Sequence, residues 1–253
     1  MVEDSKPGNP SAETQTSLHL LNMESCIQKR NCADCGHEFV AYDILWDARP
    51  VIQQQRCEQC VGAIERAKHA AEKTERIKKQ KLAFHAACPP LYRDTEPARL
   101  HPKFRESVQH WQYGPRGLGL VGIAGIGKTR AAYWLLKRMV ALDQSVLATN
   151  ATTFAKLCID QFSDDKESKW AAVRTLEAIR RIDLWLLDDL GKQRMTERGE
   201  VELHAILEHR TAYKRPIIWT SNSTSEVLRA KFSEERTEPI MRRLTDFTDI
   251  ISV

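Results

Sequence analysis

The sequence predicts an α/β protein, in which a parallel β-sheet flanked by helices follows a small cysteine-containing module. Three observations predict this class. From Leu91 onward, short apolar runs typical of strands alternate with stretches of helical periodicity. A glycine-rich loop at residues 122–129 lies between one such strand and the next helix. The apolar run at residues 184–187 ends in two aspartates, as buried strands of parallel sheets end at a ligand-binding edge.

Length and composition limit the class of protein further. A chain of 253 residues is long enough for one full domain and a small module. The net charge of +4 permits contact with nucleic acid but does not require it. No run approaches the ~18 apolar residues of a membrane span, and the first ten residues lack the order of a secretory signal peptide. We therefore expect a cytoplasmic protein with no membrane partner, whose cysteines are metal ligands, reactive thiols or core residues.

Four cysteines form two C-x-x-C pairs, at Cys32, Cys35, Cys57 and Cys60. Two sulfurs from each pair make the ligand set of tetrahedral Zn²⁺, and this spacing is typical of zinc ribbons. The apolar residues between Phe39 and Trp46 are expected to form a small hairpin core. Because so small a module buries little surface, Zn²⁺ would supply folding free energy. The alternatives are four unlinked core cysteines, or His37 in place of one sulfur.

Residues 61–83 contain alanines, glutamates and lysines but no proline, which predicts a long exposed helix that ends before Cys88-Pro89-Pro90. Its excess of basic residues fits a contact with nucleic acid or another partner, and it fits a solvated connector equally well. The predicted organisation is a disordered tail at 1–17, a zinc-ribbon-like module at 18–60, a basic linker helix at 61–85 and the α/β domain at 86–253.

The loop from Gly122 to Thr129 matches the pattern G-x-x-x-x-G-K-S/T at every fixed position. Glycines let the backbone curl so that its N–H groups face phosphate oxygens, and the following helix adds the positive end of its dipole. Lys128 would contact the β- and γ-phosphates of ATP, and Thr129 would hold Mg²⁺ through its hydroxyl. The alternative is a glycine-rich turn with an unrelated lysine. The predicted nucleotide-binding residues of this segment are Gly122, Gly125, Ile126, Gly127, Lys128, Thr129 and Arg130.

Asp188 and Asp189 end the apolar strand that begins at Leu184. At this edge of a parallel sheet, Asp188 would bind the nucleotide's Mg²⁺ through water, and Asp189 would polarise the attacking water as a general base. Alternatively, the two aspartates have no role beyond forming the start of a turn. The phosphate-binding loop upstream favours the functional interpretation, because the two motifs belong together in nucleotide-hydrolysing proteins.

The other segments predict alternating strands and helices. Strands are expected at 145–149, 216–220 and 250–253. Helices are expected at 152–158, 170–181 and 238–244, with a further helix that begins after Thr196 as its N-cap and ends near Tyr213. The polar segment 163–168 is predicted to be a loop.

Six segments, in this order, resemble the DnaC/DnaI/IstB group of AAA+ ATPases, the replicative helicase loaders and their transposition relatives. They are C-P-P-L-Y-R, G-L-G-L-V-G-I-A-G-I-G-K-T, L-L-D-D-L-G, M-T-E-R, P-I-I-W-T-S-N and M-R-R-L, and the resemblance covers roughly residues 86–253. It implies a five-stranded parallel sheet. It also implies that Asn222 is the sensor that places the attacking water with Asp189, and that Arg243 is the arginine finger, with Arg242 in reserve. Because such a finger acts in trans, it implies a homo-oligomer.

The resemblance implies an ATP-dependent loader of a replicative DNA helicase, with single-stranded DNA as a second partner. The family's DNA-contacting insertion would fall near residues 154–181, and the zinc module resembles the DnaI arrangement, in which it grips the helicase. Two departures are expected to matter. No tail with a sensor arginine, and hence no C-terminal lid, follows the last strand. Asp189 replaces the glutamate common among AAA+ proteins, although D-D is common among these loaders. The alternatives are an IstB-like ATPase that serves a transposase and a nucleotide-binding adaptor with little turnover.

Overall fold

A computed structural model describes residues 23–192 and 195–253 of the chain. The predicted tail at 1–17 lies outside these residues. The chain divides into two compact units, one up to Lys73 and one from Thr74 to Val253. The predicted long helix is confirmed as α1 (Glu58–Ala87), which contributes residues to both units and ends where Cys88-Pro89-Pro90 begins.

The N-terminal unit contains an antiparallel sheet of three strands, β1 (Met23–Asn31), β2 (Glu38–Trp46) and β3 (Arg49–Ile52). The expected hairpin between the two cysteine pairs is present, because β3 pairs antiparallel with β2, which contains residues 39–46. The other partner of β2, the long strand β1, precedes the first cysteine pair, with Asn31 opposite Glu38. The first cysteine pair therefore lies in the turn between two paired strands, which restricts its position.

The C-terminal unit is built on five parallel strands, which confirms the predicted sheet. They are β4 (Gly117–Val121), β5 (Val146–Asn150), β6 (Leu184–Asp188), β7 (Ile217–Ser221) and β8 (Thr248–Ser252). Their order across the sheet is β5-β6-β7-β4-β8. The glycine-rich loop follows β4, the two aspartates end β6, and Asn222 follows β7. Parallel pairing therefore brings the three segments to one edge of the sheet.

Helices connect and cover these strands. They are α2 (Pro90–Arg93), α3 (Pro102–His110), α4 (Lys128–Ala141), α5 (Ala151–Asp160), α6 (Lys166–Arg181), α7 (Glu197–Ala212), α8 (Ser225–Arg229) and α9 (Glu234–Asp246), with a 3₁₀ turn at Pro97–Arg99. Within residues 23–192 and 195–253, no helix is both long enough and apolar enough to cross a lipid bilayer.

The sheet is buried on both faces by two apolar clusters. On one face, Leu118, Leu186 and Ile218 pack against helices α3 and α4. On the other face, Trp185 and Trp219 pack against the helices that follow β5, β6 and β7. Successive residues of one strand alternate between the clusters, which explains why these strands read as continuous apolar runs.

Gly119 marks a close approach inside this core. A Cβ on this residue would lie 2.5 Å from the indole ring of Trp219 on the neighbouring strand. The indole itself is fixed, because its Nε1 donates to Thr248 Oγ1 at 3.1 Å. Glycine is therefore required in the middle of β4 to admit the tryptophan.

The largest differences from the predicted helix boundaries are at the starts of α6 and α9. The segment 163–168 was expected to be a loop, but α6 already begins at Lys166, because the side chain of Asp165 caps it by accepting from the N–H of Ser168 at 3.0 Å. The helix expected at 238–244 begins at Glu234, so that Pro239 lies inside it rather than near its start. Helix α8 was not predicted, whereas Thr196 is confirmed as the N-cap of α7.

Arg210 holds several chain segments together from inside the C-terminal unit. Its side chain is 1% exposed, and its guanidinium donates to the carbonyl oxygens of Ile179, Ile182, Asp183 and Pro216. Burial lowers the pKa of Arg210 to about 10, so the group keeps its charge at neutral pH. The C-terminal end of α6 is thereby joined to the chain that enters β7.

We expect Arg210→Leu to destabilise the C-terminal unit by about 3–5 kcal/mol, because buried carbonyls lose their charged donor. Chemical denaturation of the full chain measures this. The matched control is Arg181→Leu, at a side chain that is 78% exposed and pairs with Glu177, for which a change within about 0.5 kcal/mol is expected. Equal unfolding midpoints for the two variants would contradict this role for Arg210.

Candidate nucleotide-binding and metal sites

The phosphate-binding loop connects β4 to α4 as the motif predicts. Gly127 is the residue before the helix and has a left-handed backbone with φ of 94°, which residues with a Cβ rarely adopt. The next residues, Lys128 and Thr129, already belong to the first turn of α4. The N–H groups of this turn have no partners within the helix, and the helix dipole adds positive potential there. The loop therefore has the features of an anion site.

Lys128 lies across this loop. Its side chain is buried, and Nζ donates to the carbonyl oxygens of Gly122 and Ile123, each at 2.8 Å. Burial lowers the pKa of Lys128, while the charges of Asp189 and Asp188 act in the opposite direction. The ammonium group is thus positioned among carbonyl oxygens and close to two carboxylates.

Asp188 connects the loop with the neighbouring strand. Its Oδ1 accepts from the hydroxyl of Thr129 at 2.9 Å and from that of Thr220 at 2.6 Å. Burial raises the pKa of Asp188, and the hydrogen bonds from Thr220 and Thr129 oppose that rise. The structure therefore joins the two residues that the sequence assigns to Mg²⁺, Thr129 and Asp188, by a direct hydrogen bond.

Asp189 and Asn222 lie at the same cleft as the loop. The cleft has a volume of about 350 Å³ and is lined by Leu91, Tyr92, Ala124, Gly125, Gly127, Lys128, Thr129, Arg130, Asp189 and Asn222. Asp189 has a left-handed backbone with φ of 59°, unusual for a residue other than glycine. The aspartate expected to act as general base and the asparagine expected to act as sensor therefore come together, although they follow different strands.

Two residues of the cleft wall, Leu91 and Tyr92, were not assigned to the site from the sequence. The ring of Tyr92 stacks on Tyr133 with centroids 5.0 Å apart, and the guanidinium of Arg130 lies 5.9 Å from its centroid. The C-P-P-L-Y-R segment was recognised as a family motif, but nothing in its spacing indicates a cleft wall. Ile126 contributes its backbone to the loop, because its side chain packs against the apolar core.

The two candidate finger arginines lie in α9, and neither lines the cleft. Arg243 donates to Glu208 Oε1 at 2.7 Å and to the carbonyl oxygen of Pro239 at 3.2 Å. The side chain of Arg242 is 75% exposed and lies 3.4 Å from Asp246. Within one chain, Arg243 therefore contacts neighbouring residues of its own unit, whereas Arg242 extends into solvent.

The four cysteines of the N-terminal unit converge on one point. The sulfurs of Cys32, Cys35, Cys57 and Cys60 all lie within 4.8 Å of one another. The Cys35 and Cys57 sulfurs are 3.7 Å apart, close to the ~3.8 Å that four ligands at about 2.3 Å from a tetrahedral Zn²⁺ require. His37 is not part of this cluster. The donor set and its spacing thus fit Zn²⁺ with four sulfur ligands, as the sequence predicts.

The electrostatics of the cluster favour a cation. The N–H of Cys57 donates to Cys32 Sγ at 3.3 Å, and this bond is the main cause that lowers the pKa of Cys32 to about 6. The neighbouring thiols, Cys35 first, raise the pKa of Cys60. Four crowded sulfurs cannot all ionise without a compensating positive charge, which Zn²⁺ supplies when it is bound.

The fold and the loop define the class of protein: a P-loop ATP-binding protein of the AAA+ type. The family model described as IstB-like ATP binding protein matches residues 109–253, which is more than half of the chain. The chain belongs to the IstB-like ATP-binding family.

The sequence identity to individual relatives is low. The uncharacterized protein YdaV of Escherichia coli strain K12 is 27% identical over 124 residues, which is 49% of this chain and 47% of YdaV. The chain thus spans about half the length of this relative. A crystal structure of DnaI matches with a TM-score of 0.50 and 21% sequence identity, and the match covers 59% of this chain and 80% of the DnaI chain. The crystal structure of the DnaC helicase loader matches with a TM-score of 0.50 and 18% sequence identity, and the match covers 65% of this chain and 99% of the DnaC chain. These structures share the fold.

Proposed function

We propose that this protein binds and hydrolyses ATP in order to load a replicative DNA helicase. The observation that carries the ATPase part is the single cleft where Lys128, Thr129, Asp189 and Asn222 meet, with Asp188 bonded to Thr129. The loader part is supported by the fold shared with DnaI and DnaC, and by the cysteine cluster in a separate unit.

The polar residues of the cleft, together with Asp188, have proposed roles. Lys128 binds the β- and γ-phosphates, and Thr129 and Asp188 hold Mg²⁺, whose charge stabilises the phosphate oxygens when it is bound. Asp189 accepts the proton of the attacking water, and Asn222 orients that water. Arg130 and the backbone from Gly122 to Gly127 complete the nucleotide contacts. An arginine from a second copy of the chain, Arg243, would complete the site.

Phosphate release from ATP tests this assignment. We propose that Asp189→Asn binds ATP with wild-type affinity but loses turnover, because the amide cannot accept a proton as the carboxylate does. Asp164→Asn, an exposed aspartate of the loop between α5 and α6, is the matched control and should turn over ATP normally. Wild-type turnover in Asp189→Asn would remove this residue from the mechanism.

We predict that Arg243→Ala lowers turnover about 10³-fold or more while ATP binding stays intact, because a trans-acting arginine contributes to the transition state alone. Arg242→Ala is the neighbouring control. The contacts of Arg243 with Glu208 and Pro239 would have to open for it to reach a neighbour. If Arg242→Ala shows the larger loss, the finger is the exposed arginine.

A mixing experiment tests whether the finger acts in trans. Arg243→Ala chains have an intact cleft, and Asp189→Asn chains have an intact finger. If each chain completes its neighbour's site, a mixture of the two inactive variants recovers part of the turnover. A mixture that remains inactive, although the variants co-assemble, would place the finger in its own chain or elsewhere.

The unit that contains the cysteine cluster is proposed to be the helicase-binding head. Its exposed apolar side chains include Ile27, Val40, Trp46 and Ile52. The strand registers place these four residues on the same face of the sheet, and a contiguous exposed apolar patch is typical of a protein interface. A pull-down with the host replicative helicase tests the proposal. The full chain should capture the helicase, whereas the fragment 74–253 should bind ATP and fail to capture it. If that fragment captures the helicase as well as the full chain does, we would assign the unit with the cysteine cluster to DNA contact instead.

Single-stranded DNA is the second proposed partner. In the segment at 154–181, Phe162 and Trp170 are exposed, and the guanidinium of Arg198 lies 5.0 Å from the Phe162 ring centroid. Exposed aromatic rings beside basic side chains suit base stacking with phosphate contacts. Affinity for an oligonucleotide should fall as salt concentration rises, and affinity independent of salt would argue against phosphate contacts.

The alternative is an IstB-like ATPase that serves a transposase, and the family match at residues 109–253 is the observation that favours it. Partner capture separates the two functions, because a transposase subunit would then be retained in place of the helicase. The third possibility is a nucleotide-binding adaptor with little turnover. In that case the wild-type protein would bind ATP but release little phosphate.

A further inference from the structure

One buried hydroxyl contacts both aspartates at the end of β6. The Oγ1 of Thr220 donates to Asp188 Oδ1 at 2.6 Å and accepts from the backbone N–H of Asp189 at 2.9 Å. Thr220 lies on the adjacent strand β7 and is 0% exposed, so solvent cannot take over either bond. A single side chain therefore contacts both the carboxylate of one residue and the backbone of the next.

The turn that follows β6 is held by further bonds from the same strand. The N–H of Leu190 donates to the carbonyl oxygen of Thr220 at 2.8 Å, and Ser221 Oγ donates to the carbonyl oxygen of Leu190 at 2.7 Å. Between these bonds, Asp189 keeps its left-handed backbone. A residue with a Cβ stays in that conformation only where its surroundings fix it. Strand β7 thus supplies the constraints that direct Asp189 toward the cleft.

Thr220 and Thr129 donate to the same carboxylate oxygen, Asp188 Oδ1. Two donors on one oxygen fix the rotation of the carboxylate about its bond to Cβ. A freely rotating carboxylate would have to lose that freedom each time it holds a metal-bound water, so the fixed orientation favours binding. Thr220 itself does not line the cleft, and its role is therefore indirect.

We propose that Thr220 is a positioning residue for the ATPase reaction, which orients Asp188 toward Mg²⁺ and fixes the backbone of Asp189 for activation of water. This inference rests on the proposed ATPase function. An uncharged threonine within P-I-I-W-T-S-N has no sequence signal for such a role, and the pairing of β6 with β7 is what brings its hydroxyl to the two aspartates.

The test compares Thr220→Val, which has the same shape but no hydroxyl, with Thr220→Ser, which keeps the hydroxyl. The measurement is the Mg²⁺ concentration needed for tight binding of a fluorescent ATP analogue to the full chain. Loss of a residue that orients a metal ligand typically costs 10–100-fold, so we expect the Mg²⁺ midpoint of Thr220→Val to rise by about that factor. Thr220→Ser should restore it, and binding of the analogue in EDTA should be the same in all three proteins.

Thr149→Val is the matched control for packing and stability. Thr149 is a buried threonine on β5 whose Oγ1 accepts from Trp185 Nε1 at 3.0 Å, and it lies outside the cleft. Its replacement should lower the melting temperature without changing the Mg²⁺ midpoint. Thr220→Ala removes the same two hydrogen bonds and takes the place of Thr220→Val if that variant does not fold.

A wild-type Mg²⁺ midpoint in a folded hydroxyl-free variant overturns the inference. So does a shift that serine fails to rescue, because the cause would then be packing. Turnover is a separate measurement: if the wild-type protein binds ATP but releases no phosphate, the proposed hydrolysis fails, and the Mg²⁺ midpoint still decides the role of Thr220. If hydrolysis occurs, kcat of the hydroxyl-free variant should fall more than KM rises, with recovery in Thr220→Ser.

Discussion

Replacing Lys128 by alanine is expected to abolish measurable ATP binding. The ammonium group lies over the phosphate-binding loop, and no other lysine lines the cleft among the residues that the structure describes. Loss of one partner from a desolvated charge pair costs about 2–5 kcal/mol, which corresponds to at least a roughly thirtyfold rise in Kd. Titration of a fluorescent ATP analogue into the full chain measures this change.

The substitution also removes the two bonds from Nζ to the carbonyl oxygens of Gly122 and Ile123, so part of the loss could come from the loop itself. Lys128→Met keeps most of the aliphatic stem but lacks the ammonium group, so it separates the loss of packing from the loss of the charge and its two hydrogen bonds. We expect it to bind ATP as poorly as the alanine variant does. Lys137→Ala, at an exposed lysine on the same helix α4, should bind normally. If Lys128→Ala binds ATP with wild-type affinity and has a wild-type melting temperature, the assignment of this loop as the phosphate-binding site is wrong.

The second large effect concerns zinc. The wild-type protein, purified without added metal, should contain one Zn²⁺ per chain, and Cys57→Ser should contain none. Structural zinc contributes about 10–16 kcal/mol of apparent binding free energy at neutral pH, and in small modules this is folding free energy. The sheet of β1, β2 and β3 should therefore unfold in this variant, which limited proteolysis and far-ultraviolet circular dichroism detect.

Cys26→Ser is the control, because Cys26 lies on β1 of the same sheet but outside the sulfur cluster. It should keep both the metal and the fold. The variant Cys57→Ser should still bind ATP, since the phosphate-binding loop belongs to the other compact unit. Zinc content near zero in the wild-type protein, with the sheet still protected from protease, would contradict the prediction.

Local sequence patterns were sufficient wherever the chemistry is local. The phosphate-binding loop needs a fixed spacing of glycines, lysine and threonine between a strand and a helix, and residues that are close in sequence meet that geometry. The cysteine pairs are a similar case, because each C-x-x-C segment places two sulfurs within one turn. The order of the strands along the chain could also be predicted, because strands of a sheet that is buried on both faces are continuous apolar runs in the sequence.

Element boundaries were less predictable, because they depend on side-chain contacts that spacing does not reveal. The cap provided by Asp165 extends α6 into a polar segment that composition assigned to a loop. Strand β1 alternates polar and apolar residues too weakly to be noticed alone, and its place is determined by its pairing with β2. The helix expected at 238–244 begins earlier, at Glu234.

The sequence by itself determined the α/β class, the phosphate-binding loop, the aspartate pair and the sulfur ligand set. Only the tertiary structure decided that Thr220 holds both aspartates, that Tyr92 lines the cleft and that Arg243 contacts Glu208. These residues are far from their partners along the chain, and their roles arise from strand pairing and helix packing. A hydroxyl or a ring has no characteristic spacing that marks it as part of a site, so its role becomes visible only when the sheet brings it to its partners.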